Sequence, residues 1–161
     1  RRQALMYPFL FVKWLHIVSS TVLFGFGAGT AWYFWNAHLT GNPALIARVG
    51  RMVVKADWIF TGTSGVVQPL TGLMLVHFLG YSLLEPWLIA TYGLYLVAFA
   101  CWIPVVWLQI RATRLAEASL ISGTPLGTDY RRTMHMWFAL GWPAFLSLMG
   151  VFWLMIAKPT L

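Results

Sequence analysis

The chain has 161 residues, of which 60% are hydrophobic, 17% aromatic and only 9% charged, and its formal net charge is +7. A soluble domain carries about 25% charged residues, so the composition excludes an ordinary water-soluble enzyme, and the length leaves no room for a second domain. The positive excess does not indicate nucleic acid, because the basic residues gather at the ends of apolar runs, where lipid headgroups and cationic loops account for them.

Four stretches contain no Asp, Glu, Lys or Arg: Trp14 to Ala47, Trp58 to Leu84, Pro86 to Ile110 and Thr133 to Ala157. Each exceeds the roughly 20 residues a helix needs to cross the hydrocarbon of a bilayer. Backbone groups in lipid must be paired internally, so the runs are helical. The expected architecture is all-α: one integral membrane domain over 1–161, an up-down-up-down four-helix bundle with spans near 9–35, 58–80, 86–110 and 133–157. Short connections make consecutive helices antiparallel neighbours.

The first helix is expected from Tyr7 to Trp35, too long and intact to be a cleaved signal segment. The sequence opens on Arg1 rather than Met, so a few residues are expected before it. A break follows at Thr40-Gly41-Asn42-Pro43, where Asn42 caps a new helix with Pro43 in its first turn. Arg48, Arg51 and Lys55 place the start of that helix outside the membrane, which it enters near Trp58 and leaves near Gly80. Tyr81 to Glu85 reads as a tight turn, and Pro86 opens the third helix, which ends beyond Arg111. Glu117 to Thr128 reads as the one real loop, after which Thr128 or Asp129 caps a fourth helix ending at Lys158-Pro159. Pro69, Pro104 and Pro143 each remove a backbone bond, so kinks are expected near mid-membrane. No internal repeat is evident.

Arg48, Arg51, Lys55, Arg111, Arg114, Arg131 and Arg132 fall on one side, against Arg1, Arg2, Lys13 and Lys158 on the other. The bias makes the first side cytoplasmic and both termini periplasmic, in a bacterial inner membrane. Cys101, alone and inside an apolar run, reads as a small buried hydrophobe rather than a disulfide or metal ligand.

The four histidines lie near span ends. His16 and His77 fall at one depth near the outer side, His38 and His135 at another near the inner side. Imidazoles paired at matched depth on facing helices suit haem b, whose iron takes two axial ligands. His16 and His38 share a helical stripe to within about 40°, close to Ser20, Gly27, Thr30 and Phe34. Gly25, Gly27 and Gly29 clear space for a macrocycle, or for a packed neighbouring helix. Helix 2 carries a polar stripe of Asp57, Thr61, Ser64 and Gln68, which should face the bundle. His77 lies about 180° from Gln68 in an ideal helix, so only a twist at Pro69 or Gly72 brings both inward. A histidine within a turn of the membrane surface also serves as an interfacial hydrogen-bonding group. The tryptophans form interfacial belts, Trp14 and Trp87 outside and Trp35, Trp58, Trp107 and Trp137 inside. Trp102 and Trp142 lie deeper, and Tyr92, Tyr95, Phe99 and Trp102 make an aromatic stripe on helix 3; both features suit packing or a cofactor wall.

Trp14-Leu15-His16-Ile17, the small-residue stretch to Gly29, Ala56-Asp57-Trp58, Gln68-Pro69-Leu70-Thr71-Gly72 and the Pro86-Trp87 start of helix 3 resemble an uncharacterised group of bacterial integral membrane proteins. That resemblance covers nearly the whole chain and implies four spans but no activity. More distantly, helix 1 is similar to that of HemJ-type protoporphyrinogen oxidases and CopD-type copper-resistance membrane proteins, with His16 and His38 at the matching positions. The HemJ likeness implies haem b. Those oxidases carry a His and a Lys early in helix 3, where this chain has Ile89 and Thr91, which argues against protoporphyrinogen oxidation.

The leading expectation is a haem b protein relaying electrons, with His16 and His77 on the iron, His38 and His135 as further candidates, Ser20 and Gly27 lining the site, and a quinone as candidate redox partner. A second is a non-catalytic subunit packing into a larger membrane complex or a homo-oligomer. A third is a transport or metal-handling accessory using the Asp57–Gln68 stripe. No nucleophile–base pair, acid pair or phosphate loop is present, so no catalytic residue is assigned.

Overall fold

A helix opening on Asn-Pro begins with the cap already supplied. The Asn42 Oδ1 accepts from the backbone N–H groups of Ala44 (3.0 Å) and Leu45 (3.3 Å), and Pro43 takes the first helical position, where a missing N–H costs nothing. The computed structural model describes residues 2–159. Its elements are α1 (Arg2–Leu39), α2 (Pro43–Ala56), a π-helical segment (Asp57–Gly62), α3 (Thr63–Leu79), α4 (Pro86–Ser122) and α5 (Thr128–Ala157). The segments α2, π and α3 run on as one continuous second span, so four apolar helical spans make the up-down-up-down bundle. Arg1, counted above with the outer basic residues, lies outside the described residues.

Three boundaries differ from expectation. The first helix runs Arg2–Leu39, longer at both ends than Tyr7 to Trp35. Glu117 to Ser122 is the last part of α4 rather than loop, which leaves only Gly123 to Gly127 as connection, Gly123 taking a left-handed φ of 66°. The cap of α5 is also not a side chain: Gly127 precedes Thr128 with no side-chain hydrogen bond. At 37 residues, α4 is about 55 Å long at 1.5 Å per residue, well beyond the ~30 Å hydrocarbon thickness.

That overhang explains where the tightest packing lies. Phe34, Ile46, Ala112, Ala116, Tyr130 and Met134 belong to one buried cluster built from the end of α1, α2, the end of α4 and the start of α5. It sits at the arginine-rich end of the bundle. Where helices leave the lipid, water drives apolar side chains together; inside lipid no such force acts, and packing is looser. Arg48, Arg51 and Lys55 point outward from α2 while Ile46, Ala47, Gly50 and Val53 point in. Arg51 pairs with Glu117 across to α4. Both are substantially exposed, so Arg51→Ala should change stability by under about 1 kcal/mol, measured by reversible denaturation in detergent.

Backbones approach closely between α4 and α5, between α2 and α4, and between α1 and the second span. Elsewhere the gap is bridged by side chains. Phe24 of α1 meets Phe145 (5.1 Å) and Phe152 (5.5 Å) of α5, and Phe34 meets Trp137 edge-on at 5.3 Å. At the far end, Val76, Trp87 and Leu88 close the bundle with Met155 packed on them. The middle is left hollow.

Pro69 has a specific structural consequence. It cannot donate to the carbonyl of Gly65, four residues earlier. The Tyr95 hydroxyl of α4 donates to that carbonyl instead, tying α3 to α4 beside the hollow. Tyr95→Phe should leave a carbonyl unpaired and cost about 1–3 kcal/mol, read as a lower denaturation midpoint.

Candidate functional site

The polar residues of the second span settle on one face. Asp57, Thr61, Ser64 and Thr71 are buried and Gln68 is half-buried, whereas His77 is exposed. No twist at Pro69 or Gly72 turns His77 inward. The stripe expected from Asp57 to Gln68 therefore extends to Thr71, and His77 stands off it.

His16 is held at the outer part of that stripe. Its Nδ1 lies 2.7 Å from the Thr71 Oγ1. The Thr71 hydroxyl also lies 2.8 Å from the Val67 carbonyl; when it donates there, the imidazole donates through Nδ1 and carries its lone pair on Nε2. Gln68 donates to the His16 carbonyl (2.7 Å) and to the Ser19 hydroxyl (2.5 Å). The His16 ring packs over Gly72, where a Cβ would sit 3.4 Å from its Cε1. This is a polar lock between α1 and α3.

The remaining histidines are placed as follows. His38 bonds through Nδ1 to the Tyr130 hydroxyl at 3.0 Å, and His135 is exposed. The expected iron pair of His16 and His77 is not assembled: one is locked onto Thr71 while the other is exposed. Ser20 turns its hydroxyl back to the Ile17 carbonyl (2.7 Å). No group of three or more metal-ligating side chains occurs among the described residues.

The hollow at mid-bundle is a cavity of about 550 Å³. Its apolar part is walled by Leu23, Phe24, Phe145 and Leu148, and its polar end by Thr30, Asp57, Thr61 and Gln109. Gly27 borders it, and a Cβ there would meet nothing within 4 Å. The same holds at Gly25 and Gly29, so the glycine triplet is not a packing face for a neighbouring helix of this chain. Trp35, Trp102, Trp137 and Trp142 also line it, with Tyr95 and Phe99. Trp137 and Trp87 are buried, at 4% and 6% exposure, rather than belt residues, whereas Trp14, Trp58 and Trp107 are exposed.

Asp57 is the chemical focus. It is 3% exposed, and its Oδ1 accepts from the hydroxyls of Thr30 and Thr61, both at 3.1 Å. Gln109, 2% exposed, adjoins the carboxyl from α4. Asp57 opens the π-helical segment, a backbone form concentrated at functional sites because it re-aims side chains. Sequence reasoning found Asp57 and Thr61 through the stripe and Thr30 through the stripe of helix 1. It missed Gln109, whose only signal was an amide two residues ahead of Arg111.

A haem does not fit this cavity through histidine. No imidazole, thiolate or thioether borders it, and iron porphyrins are held by such groups or by a tyrosinate. Its Tyr95 hydroxyl is already given to Gly65. At the positions where HemJ-type enzymes carry His and Lys, Ile89 is exposed and the buried Thr91 donates to the Trp87 carbonyl at 2.8 Å.

Four apolar spans around an acid-centred cavity define a multi-pass integral membrane protein with an intramembrane cavity. The family model described as predicted integral membrane protein (DUF2269) matches residues 10–159, and the chain belongs to that family. Neither the curated proteins nor the solved structures give a match.

Proposed function

We propose that the protein binds a single amphiphilic molecule of the membrane, as a carrier or transport accessory. One observation carries the reading: the cavity is graded. Its polar end, at Asp57 and Gln109, lies beside the arginine-rich boundary marked by Lys55 and Arg111, while Leu23, Phe24 and Leu148 wall the part toward mid-membrane. An amphiphile of the adjacent leaflet has the same polarity along its length. The space is of the size that takes a drug-sized ligand, and mostly apolar walls with a few convergent polar groups are the usual composition of a binding site. If the arginine-rich end is cytoplasmic, the leaflet is the cytoplasmic one. Gentle extraction followed by native mass spectrometry should show one amphiphile per chain, lost on competition with a single-chain detergent. A chain that never carries such a mass, in native membranes or after loading, rejects the reading.

A second reading, haem b and electron transfer, has one observation in its favour. The Nδ1 of His16 is held by Thr71 at 2.7 Å, and in the tautomer that donates there Nε2 is presented, the arrangement in which ligating imidazoles are held. It requires a partner ligand from outside the His16–His77 pair. Purified protein would then show a Soret band and a split reduced α-band, both removed by His16→Ala. Colourless protein from haem-replete cells rejects it.

A further inference from the structure

The cavity is not sealed, and the amphiphile reading above, taken here as given, requires that a membrane molecule reach it. The opening lies between the first helix and the last. Trp32 of α1 and Phe138 and Trp142 of α5 border the cavity and are also 66%, 40% and 51% exposed, so they stand at a rim. Along this seam the backbones of α1 and α5 stay apart for most of their length, and rings join them across the cavity at two points. Trp35 meets Phe138 at 4.5 Å toward the arginine-rich end, and Phe24 meets Phe145 at 5.1 Å farther out.

Between these two aromatic posts both helices carry small residues. Ala28 and Ala31 of α1 and Gly141 and Ala144 of α5 line the cavity, and a Cβ added at Gly141 would meet nothing within 4 Å. Helical spacing explains the gap. Phe24, Ala28, Ala31 and Trp35 fall at offsets of 0, 4, 7 and 11 on one face of α1, so large rings reach across at the ends of that face and methyl groups fall short in its middle. On α5 the posts are seven residues apart, about 10 Å at 1.5 Å per residue. Trp142 stands between them, its ring edge-on to Phe138 at 6.0 Å and to Phe145 at 6.3 Å. Neither lip carries a charge, since α1 has no Asp, Glu, Lys or Arg from Trp14 to its end and α5 none from Thr133 to Ala157. Gly141 lies nine residues past Arg132, about 14 Å along the helix, so the gap opens at the depth of acyl chains rather than headgroups.

The opposite seam, where the exposed Phe99 borders the cavity, is tied. There the Tyr95 hydroxyl of α4 donates to the Gly65 carbonyl of α3, and the Trp102 ring lies over Gly62, 3.6 Å from where a Cβ would sit. Between α1 and α5 the one hydrogen bond among the described residues joins His38 to Tyr130 at 3.0 Å, at the arginine-rich end where the buried cluster around Phe34 and Tyr130 already holds the helices together. Parting α3 from α4 would strand a carbonyl; parting the posts of α1 and α5 breaks ring contacts and leaves no polar group unpaired. We infer that the α1–α5 seam is a lateral entrance through which the amphiphile passes directly between hydrocarbon and cavity, and that the Trp142 indole is its gate. The molecule never crosses water. Its chain passes between Ala28 and Ala31 on one side and Gly141 on the other as the indole moves off its posts, and a gate of this kind sets rates rather than affinity.

The test uses the purified full chain in phosphatidylcholine vesicles and a dansyl-tagged dodecyl alcohol as probe. Saturable energy transfer from tryptophan to dansyl reports loading of the cavity, and a chase with untagged dodecanol reports release. Trp142→Ala should raise both rates roughly tenfold, the consequence of removing two ring contacts that opening must break, and leave their ratio, and so the affinity, unchanged. Trp142→Phe, which keeps a smaller ring at the position, should give a smaller rise, and serves alone if the Ala variant does not fold. Tyr95→Phe, which unties the opposite seam, should accelerate neither rate as much as Trp142→Ala; helicity and elution volume confirm each fold. Rates untouched by substitution of Trp142, release alone accelerated with affinity falling in step, or a larger acceleration from Tyr95→Phe overturns the α1–α5 entrance and leaves the amphiphile cavity standing. No saturable energy transfer in the parent overturns the amphiphile reading itself.

Discussion

Gly27→Leu should abolish ligand retention and leave the bundle folded. The position is unusual in pairing a cavity wall with open space: a Cβ built there meets no atom within 4 Å. A leucine therefore enters the cavity without displacing backbone, and it occupies volume beside Thr30 and Ala31, close to the polar end. Replacing a helical glycine also gains up to about 1 kcal/mol of helix propensity, so the variant should be at least as stable as the parent. Native mass spectrometry should show the bound mass lost and the denaturation midpoint unchanged or raised. If the bound mass persists at full occupancy, the ligand lies elsewhere. Asp57→Asn would behave differently, because it changes the chemistry of the space rather than its size.

The second large effect is expected on stability. At Gly50 the backbone of α2 crosses α4 so closely that an added Cβ would collide with the Thr113 Oγ1 and lie 3.1 Å from both the Thr113 Cβ and the Phe34 Cε2. Thr113 cannot rotate freely, since its hydroxyl donates to the Gln109 carbonyl at 2.8 Å. Phe34 is fully buried against Trp137. Gly50→Val should therefore cost about 2–3 kcal/mol by overpacking, measured as a fall in denaturation midpoint. Thr113→Ala in the same chain should recover part of the loss, because the colliding oxygen goes while the Cβ stays; the cycle of four proteins isolates that contact. A fully additive cycle would show that the crossing is not where the strain falls. The crossing matters for the cavity because Gln109, one turn from Thr113, borders it.

The difference between expectation and structure is clearest at the histidines. Four imidazoles at matched depths invited a porphyrin, yet depth along the chain says nothing about the direction in which a side chain points. His77 is exposed because the second span turns its polar face, from Asp57 to Thr71, toward the bundle. The angle between Gln68 and His77 was legible beforehand and already opposed the pair. Burying one polar stripe is favoured over burying an isolated imidazole, because most of the stripe finds partners: Thr61 on Asp57, Gln68 on Ser19, Thr71 on His16.

Four uninterrupted apolar runs, the Asn42-Pro43 start, the tight turn at Tyr81 to Glu85 and the one-sided arginines were sufficient in themselves to establish four antiparallel membrane helices. Each of those features acts locally, through the cost of a bare backbone in lipid, of an uncapped helix or of a charge in hydrocarbon. Which faces meet was decided only by the tertiary structure. In lipid the outward face of a helix is as apolar as the inward one, so hydrophobic periodicity, which reveals the core of a soluble protein, carries no direction here. The cavity, the π-helical placement of Asp57, the Tyr95 hydroxyl answering Pro69 and the enclosure of Gln109 all arise from helices meeting across tens of residues.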